Sequence, residues 1–190
     1  GRFVAFWSFA TNLVPGDTNG TADVFLYDHT IGTSRCLTRS VTGSTGNGIS
    51  TTPIVSADGK WVAFSSNAPD LVPGDISGKS DAFVYACETG ALTIASLAWS
   101  GAQGNEHSLA QAVSADGRFV NFDSDASNLV LGDTNAASDI FVRDTVLGTT
   151  IRVSVSSAGL QADSGSENSR ISANGRFIAF ESSAATLVPG

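Results

Sequence analysis

The sequence predicts an all-β protein built from copies of one four-stranded antiparallel unit. The first observation is a period of 58 residues, because the opening Gly1–Phe6 returns in closely similar form at positions 59, 117 and 175. The second is the composition: Gly, Ser and Thr are frequent, and charged residues make up only 15% of the chain. Such a composition favours strands and tight turns, and a fixed period of this size indicates one supersecondary unit that is copied and stacked.

Each copy contains four predicted strands, which follow one another along residues 1–58. The apolar run Phe3–Phe6 shows no alternation and is typical of a strand buried on both faces. Val24–Tyr27 is the second β-rich run, the third strand is predicted near Ser34–Arg39, and the short fourth strand is Pro53–Ser56. The intervening polar segments are predicted loops: 9–22 and 40–50.

Turns rich in glycine separate these strands. Pro15-Gly16 favours a type II turn, because proline presets φ and glycine accepts a positive φ. Asp58-Gly59 lies between one copy and the next and predicts a two-residue type I′ hairpin. The same junction recurs with compatible residues at Asp116-Gly117 and Asn174-Gly175.

Four short strands per repeat, with no helix among them, are the pattern of a β-propeller blade. β-Helix coils are shorter, leucine-rich repeats have about 20–29 residues and a different leucine spacing, and immunoglobulin-like sandwiches need about seven strands per unit. The predicted fold is therefore a β-propeller with blades of four antiparallel strands. The sequence divides into three blade repeats, 1–58, 59–116 and 117–174, and a partial fourth repeat, 175–190.

Three repeats and a fraction do not close a ring, because propellers usually have about 4–8 blades. Two explanations stay open. The chain is a section of a longer one, or several chains complete one another's blades through head-to-tail contacts and form a ring or an open filament.

The net charge of the chain indicates which class of partner it would repel. The net charge is −8, from 10 Lys and Arg against 18 Asp and Glu, so a nucleic-acid backbone would be repelled. No apolar stretch approaches the roughly 20 residues that a membrane-spanning helix needs, so we expect no membrane insertion. Cys36 and Cys87 occupy different positions in their repeats, and we expect two small buried thiols rather than a disulfide framework.

The residues around the junctions between copies resemble the repeat motif of a known protein family. Ser56–Phe64 and Ser114–Phe122 resemble the Ser-x-Asp-Gly-(Arg/Lys)-x-(Ile/Val)-Ala-Phe motif of the TolB-type propeller repeats, also called WD40-like PD40 repeats. Asp23–Asp28 and Asp139–Asp144 look like the next strand of that family. The resemblance implies a bacterial, mostly envelope or secreted, protein-binding propeller. These copies are longer than the family's usual blade of about 40–45 residues, and the extra length lies in the two loop segments.

An Asp-rich loop follows the Pro-Gly turn and is the main candidate for a metal site. In the first copy its sequence is DTNGTAD, with oxygen-bearing side chains at or near alternate positions. Ca²⁺ takes about six to eight oxygen ligands, including carbonyls and water. We therefore predict Ca²⁺ ligands in the three copies at Asp17, Asn19 and Asp23; at Asp75 and Asp81; and at Asp133, Asn135 and Asp139.

An alternative interpretation of this loop stays open. Asp17 and Asp23 would then accept hydrogen bonds in an Asx-type turn and bind no ion. The Ca²⁺ interpretation is weaker in the second copy, where Ser77 is a poorer ligand and Lys79 adds a positive charge. In the third copy Ala136 replaces the loop glycine.

The remaining polar residues predict no catalysis. His29 and His107 lie at different repeat positions and form no zinc-ligand pair, and the sequence has no Gly-x-Ser-x-Gly elbow. Asp28 and Asp144 are predicted acceptors in strand-end turns. Trp7 stands where other copies have polar residues, so it is either exposed for a partner or packed on a neighbouring blade.

The sequence favours a non-enzymatic propeller that serves as a protein-binding scaffold. Its expected partners are proteins, including other copies of itself, and Ca²⁺ is the only cofactor expected. We expect it to be secreted, at the cell surface or in the periplasm, as the resemblance implies. Two alternatives stay open: a structural subunit of a surface filament or ring, and the propeller portion of a secreted hydrolase whose catalytic domain lies outside this sequence.

Overall fold

The computed structural model describes residues 1–188, and its regular elements are all β-strands. The fourth copy of the Pro-Gly turn, at Pro189-Gly190, lies outside the described residues. Within residues 1–188 no helix has the length and apolar character needed to cross a membrane. The all-β class is confirmed.

The strands of the described chain are, in order, β1 (Phe3–Ser8), β2 (Asp23–Asp28), β3 (Thr33–Cys36), β4 (Ser50–Val55), β5 (Trp61–Ser66), β6 (Asp81–Ala86), β7 (Leu92–Ile94), β8 (Ser108–Val113), β9 (Phe119–Ser124), β10 (Asp139–Asp144), β11 (Thr149–Arg152), β12 (Ser166–Ile171) and β13 (Ile178–Ser182).

These strands form four antiparallel sheets. The first has the order β1-β2-β3, the second β4-β5-β6-β7, the third β8-β9-β10-β11, and the last, within the described residues, β12-β13. The two central sheets are thus four-stranded blades, as predicted. Each of them begins with the last strand of one sequence repeat and continues with three strands of the next, so the sheets cross the repeat boundaries.

The last strand of the repeat differs most from its prediction. β4 begins at Ser50, inside the segment that was predicted to be a loop, and it ends at Val55. Its pairing with β5 shifts register between Thr51 and Ile54, and Thr52 has a φ of +51°. This bulge interrupts the alternation of side chains, so the strand leaves no clear periodic pattern in the sequence. The third strand, β3, ends at Cys36 rather than near Arg39.

The junction between copies is a tight turn, but the predicted type I′ geometry is wrong. A type I′ turn needs a positive φ at both central residues, whereas the non-glycine residues with positive φ in the described chain are Thr52, Ala136 and Asn168. The Gly59 amide donates to the Ser56 carbonyl at 2.9 Å, and Gly59 follows this type I turn with a φ of +77°. The Ser56 hydroxyl donates to Asp58 at 2.7 Å, which holds the acidic residue at a negative φ.

Consecutive sheets pack face to face, and the core lies between them. The backbone links them as well: the Ser50 amide donates to Ala22 at 2.8 Å, and Ser108 repeats this bond with Ser80 at 2.7 Å. Removing these apolar faces from water is the main driving force for the stack. The core between the first and second sheets contains Val24, Leu26, Val62, Phe64 and Phe83; that between the second and third contains Ala63, Val84, Val120, Phe122 and Leu129.

An aromatic ring in each copy packs on the hairpin glycine of the next copy. A Cβ atom on Gly59 would lie 2.5 Å from the ring of Phe3, and Cβ atoms on Gly117 and Gly175 would overlap the rings of Trp61 and Phe119. Each glycine is therefore required twice, by its positive φ and by the close approach of the ring.

We predict that Gly117→Ala destabilises the fold more than Gly101→Ala. Both glycines have a positive φ, but only at Gly117 would the new methyl group overlap a ring, that of Trp61. Left-handed backbone costs about 1–2 kcal/mol for alanine, and overpacking adds about 1–3 kcal/mol at Gly117 only. Urea unfolding of both variants checks this, and equal losses of unfolding free energy would show that the ring does not restrict this position.

Candidate functional site

A fully buried carboxylate begins the second strand of each copy. Asp23, Asp81 and Asp139 are the first residues of β2, β6 and β10, and all three have no exposed surface. One oxygen of each accepts a hydrogen bond from a hydroxyl just after the following strand. The donors are Thr38 at 2.6 Å, Ser96 at 2.7 Å and Ser154 at 2.5 Å.

The other oxygen of this carboxylate accepts a bond from the preceding loop. The Asn19 Nδ2 atom donates to Asp23 at 2.7 Å and also to the Gly46 carbonyl at 2.7 Å, while Asn19 Oδ1 accepts from the Thr21 amide at 3.0 Å. Asn19 therefore closes an Asx-type turn and presents its amide nitrogen to Asp23. The corresponding donors to Asp81 and Asp139 are Ser77 at 2.7 Å and Asn135 at 3.2 Å.

Burial makes the charged form of these carboxylates costly. Loss of solvent raises the pKa of Asp23, and the nearby negative charge of Asp17 adds to that increase. The pKa of Asp81 is raised for the same reason, with a further contribution from Asp75. In the first and second loops a second acidic group thus lies close enough to make the charged form of the buried carboxylate still less favourable.

The first acidic residue of the first loop is incompletely satisfied. Asp17 is only 5% exposed, and its Oδ1 atom is buried without a hydrogen-bond partner among the described residues. Nearly all buried polar atoms in proteins have a partner, so this atom is an exception that needs a physical reason.

The second and third loops depart from the first as the sequence indicated. Lys79 directs its ammonium group to Glu106, at 2.9 Å, and forms its ion pair there. Ala136 adopts a φ of +52° where Gly20 and Gly78 have +69° and +63°, so the third loop keeps the same conformation with a residue that is strained in it.

Within residues 1–188 no three His, Cys, Asp or Glu side chains converge as a metal-binding group. In each loop the predicted Asp and Asn side chains lie close together. They serve mainly as hydrogen-bond partners of one another. Ca²⁺ binding by these loops stays a prediction.

Two strand-end carboxylates form ion pairs that the sequence did not reveal. Arg2 Nη2 lies 2.6 Å from Asp28, and Arg118 Nη2 lies 2.7 Å from Asp144. Both carboxylates also accept amide bonds from the turn that follows, as expected; the Val146 amide, for example, donates to Asp144 at 3.0 Å. The arginine hydrogen bond is the main cause that lowers the pKa of each carboxyl group.

His107 Nδ1 accepts a hydrogen bond from the Ser80 amide at 2.9 Å, which orients the imidazole ring in the loop. Cys36 is buried and Cys87 is half-buried, and both are free thiols, as expected.

The first and last described sheets carry exposed apolar side chains. On the first sheet, Trp7 is 46% exposed and packs edge-on against Phe9, with 5.7 Å between the ring centroids. On the last, Phe177 is 63% exposed. Its counterparts Phe3 and Phe119 are only partly exposed, because the hairpin of the next copy covers them.

Comparison with known proteins shows the fold. No protein-family model and no curated protein sequence matches the chain. Among solved structures, a protein designated TolB from Agrobacterium tumefaciens is 18% identical with a TM-score of 0.60, over 97% of this chain and 52% of that one. TolB from Acinetobacter baumannii is 20% identical with a TM-score of 0.54, over 94% and 34% of the two chains.

A third similar structure comes from a study of two prolyl endopeptidases. It is 16% identical with a TM-score of 0.51, and the match covers 85% of this chain but only 22% of that one. The chain thus spans about a fifth to a half of the structures it matches here. It has a TolB-like β-propeller fold, which confirms the fold that the repeat and its motif predicted.

We predict that Asp144→Ala lowers stability at neutral pH and that its effect shrinks in acid. A lowered pKa means that the folded state favours the charged carboxylate, so its contribution is present above the ordinary value of 3.8 and is lost as the pH falls further. Chemical unfolding from pH 7 down to about pH 3 checks this, with exposed Asp125→Ala as the control. A difference between Asp144→Ala and the parent that does not change with pH would contradict the ion-pair account.

Proposed function

We propose that this chain is a non-enzymatic, protein-binding scaffold and that its partners include other copies of itself. The proposal is supported by the TolB-like fold and by the contact that joins the copies, in which an aromatic ring packs on the hairpin glycine of the following copy. Phe177 occupies the place at which Phe3, Trp61 and Phe119 each receive the hairpin glycine of the following copy.

The contact between two copies within the chain shows a geometry by which a further copy could bind. Arg118 lies over one face of the Phe119 ring, with its Cζ atom 4.9 Å from the ring centroid, and Gly175 approaches the ring. On the last sheet, Arg176 covers the Phe177 ring in the same way, at 5.2 Å. The next hairpin is the contact that Phe177 lacks within the described chain.

The other end of the chain presents the matching element. Gly1 begins the same Gly-basic-aromatic sequence as Gly59, Gly117 and Gly175, and a Cβ atom on Gly1 would meet nothing closer than 3.9 Å. A second copy can therefore place its Gly1 edge on Phe177 of the first and reuse the contact that joins repeats within the chain. Burial of an aromatic side chain removes about 150–250 Å² from water, so this contact favours association.

Head-to-tail contacts of this kind produce a ring when the rotation closes and an open filament when it does not. A role as the structural subunit of a surface filament or ring is therefore included in the same proposal. The TolB-like fold and the repeat motif support a place in the bacterial envelope, where the chain would be secreted, exposed at the cell surface or periplasmic.

A second candidate function is the propeller portion of a secreted hydrolase. The similarity to the prolyl endopeptidase structure favours it, although at 16% identity that similarity concerns the fold alone. In such a protein, further blades of the same polypeptide would cover Phe177, and no contact between separate copies would be needed.

We predict that the 190-residue chain self-associates in a concentration-dependent manner and that Phe177→Asp abolishes this. A charge at the centre of an apolar contact loses its hydration on association, so the assembly should dissociate to monomers. Sedimentation velocity over a hundredfold range of concentration measures the effect. The control is Ile76→Asp, because Ile76 is 88% exposed in a loop away from the sheet faces.

Discrete oligomers or filaments that Phe177→Asp removes and Ile76→Asp preserves are the expected result. A chain that stays monomeric at every concentration would reject self-association and favour the hydrolase alternative. Equal loss of assembly in both variants would show that the contact does not involve Phe177.

A further inference from the structure

The three Asp-rich loops contain the same pair of buried carboxylates, but they balance its charge in different ways. The pairs are Asp17 with Asp23, Asp75 with Asp81, and Asp133 with Asp139. Two other positions of the repeat supply donors to these pairs in at least one copy. One, in the third strand, is Cys36, Ile94 or Arg152; the other, in the following loop, is Thr45, Gln103 or Gln161.

In the third copy, protein side chains neutralise the pair. Arg152 Nη1 lies 3.4 Å from Asp133 Oδ1 and 3.3 Å from Asp139 Oδ2, so one guanidinium bridges both carboxylates. Gln161 Nε2 donates to the same two residues, at 2.8 and 3.2 Å. A positive charge thus already lies between the two acidic groups.

The second copy balances its pair more weakly. The Gln103 amide donates to Asp75 Oδ1 at 3.0 Å, and the Ser77 amide approaches the same oxygen at 3.4 Å. Ile94 stands where the third copy has its arginine. Every buried oxygen of this pair nevertheless has a donor.

In the first copy both covering side chains are replaced by small ones. Cys36 takes the place of Arg152, and Thr45 takes the place of Gln161. Asp17, at 5% exposure, keeps a buried Oδ1 atom without a partner among the described residues. Arg39 stands where the other copies have Leu97 and Val155, and its charge acts to lower the pKa of Asp23. Its guanidinium donates to the Gly43 and Pro15 carbonyls, however, and is not among the ion pairs of the described residues. The first pair therefore lacks the bridging cation and the amide donor that the third copy has.

We propose that the first loop, and not the other two, binds one hard divalent cation of the calcium class at Asp17 and Asp23. The ion takes the place that the Arg152 guanidinium occupies in the third copy. Carboxylate oxygens and backbone carbonyls are the ligands that Ca²⁺ prefers. The proposal narrows the sequence prediction, and it does not depend on self-association or on the binding of another protein.

The charge of the site indicates a moderate affinity. Only two carboxylates contribute, and the remaining ligands would be neutral oxygens, which agrees with the lack of any three-residue group of acidic, His or Cys side chains in residues 1–188. Sites with few charged ligands, such as those of extracellular modules, have dissociation constants of about 10⁻⁴–10⁻³ M. Occupancy would therefore follow extracellular rather than cytosolic Ca²⁺ concentrations.

We expect Ca²⁺, added at millimolar concentration to the chelator-treated 190-residue chain, to raise its melting temperature, and Mg²⁺ to raise it much less. Equilibrium dialysis should find one ion per chain. Asp17→Asn should weaken Ca²⁺ binding at least tenfold. It should also raise the melting temperature without Ca²⁺, because it relieves the repulsion between the two neighbouring carboxyl groups; a purely structural role of Asp17 would lower that temperature.

Two designed variants test the comparison between copies. Cys36→Arg supplies the first loop with the third copy's guanidinium, so it should abolish the response to Ca²⁺ and stabilise the ion-free chain. The double variant Arg152→Cys with Gln161→Thr gives the third loop the residues of the first, so it should add a second bound ion.

Three results would overturn the proposal: a melting temperature that Ca²⁺ does not change, an equal response to Mg²⁺, or three bound ions per chain that persist in Asp17→Asn. Each can be distinguished from a failure of self-association, because sedimentation of the same samples reports the oligomeric state separately.

Discussion

The packing of an aromatic ring on the hairpin glycine of the next copy sets the spacing of the whole array. Because a side chain on that glycine would overlap the ring, the hairpin can approach the ring only at a residue with no Cβ atom. The glycine also has a positive φ, because it directly follows a type I turn. This one contact fixes the turn, the distance between sheets and the alignment of the cores on either side.

The buried acidic pairs are a second constraint. They lower the stability of the fold, whereas the ring contact raises it. A carboxylate at the start of the second strand orders the loop through hydroxyl and amide donors, of which Thr38 and Asn19 are examples. The neighbouring acid in the same loop makes the pair unfavourable unless something offsets its charge. Arg152 does so inside the protein in the third copy, and Asp17 lacks such a partner in the first. Nearly identical backbones thus differ in electrostatics: the first copy has Cys36, Thr45 and Arg39 where the third has Arg152, Gln161 and Val155, and the second differs from the third at Ile94 and Leu97.

The sequence predicted the repeat, the strand types and the propeller fold, because these depend on apolar runs and turn residues that recur every 58 positions. It did not predict the extent of β4, since the bulge at Thr52 removes the alternation that would have marked a strand. The turn type was wrong because Asp-Gly also suits a type I turn in which only the glycine has a positive φ. The loop acids were visible, but the distant groups that hold the loop were not. The Thr38 hydroxyl, which donates to Asp23, and the Gly46 carbonyl, which accepts from Asn19, lie 15 and 23 residues beyond Asp23, and only the folded sheets bring them together.

The most direct test of the ring contact is a double-mutant cycle between Trp61 and Gly117, measured as free energies of unfolding in urea. The account predicts that Gly117→Ala costs much less in a Trp61→Ala background than in the parent chain, because the new methyl group then has room and only the backbone strain remains. The coupling energy between the two positions should therefore be large. If Gly117→Ala costs the same in both backgrounds, the ring does not restrict the hairpin, and the spacing of the copies must have another origin.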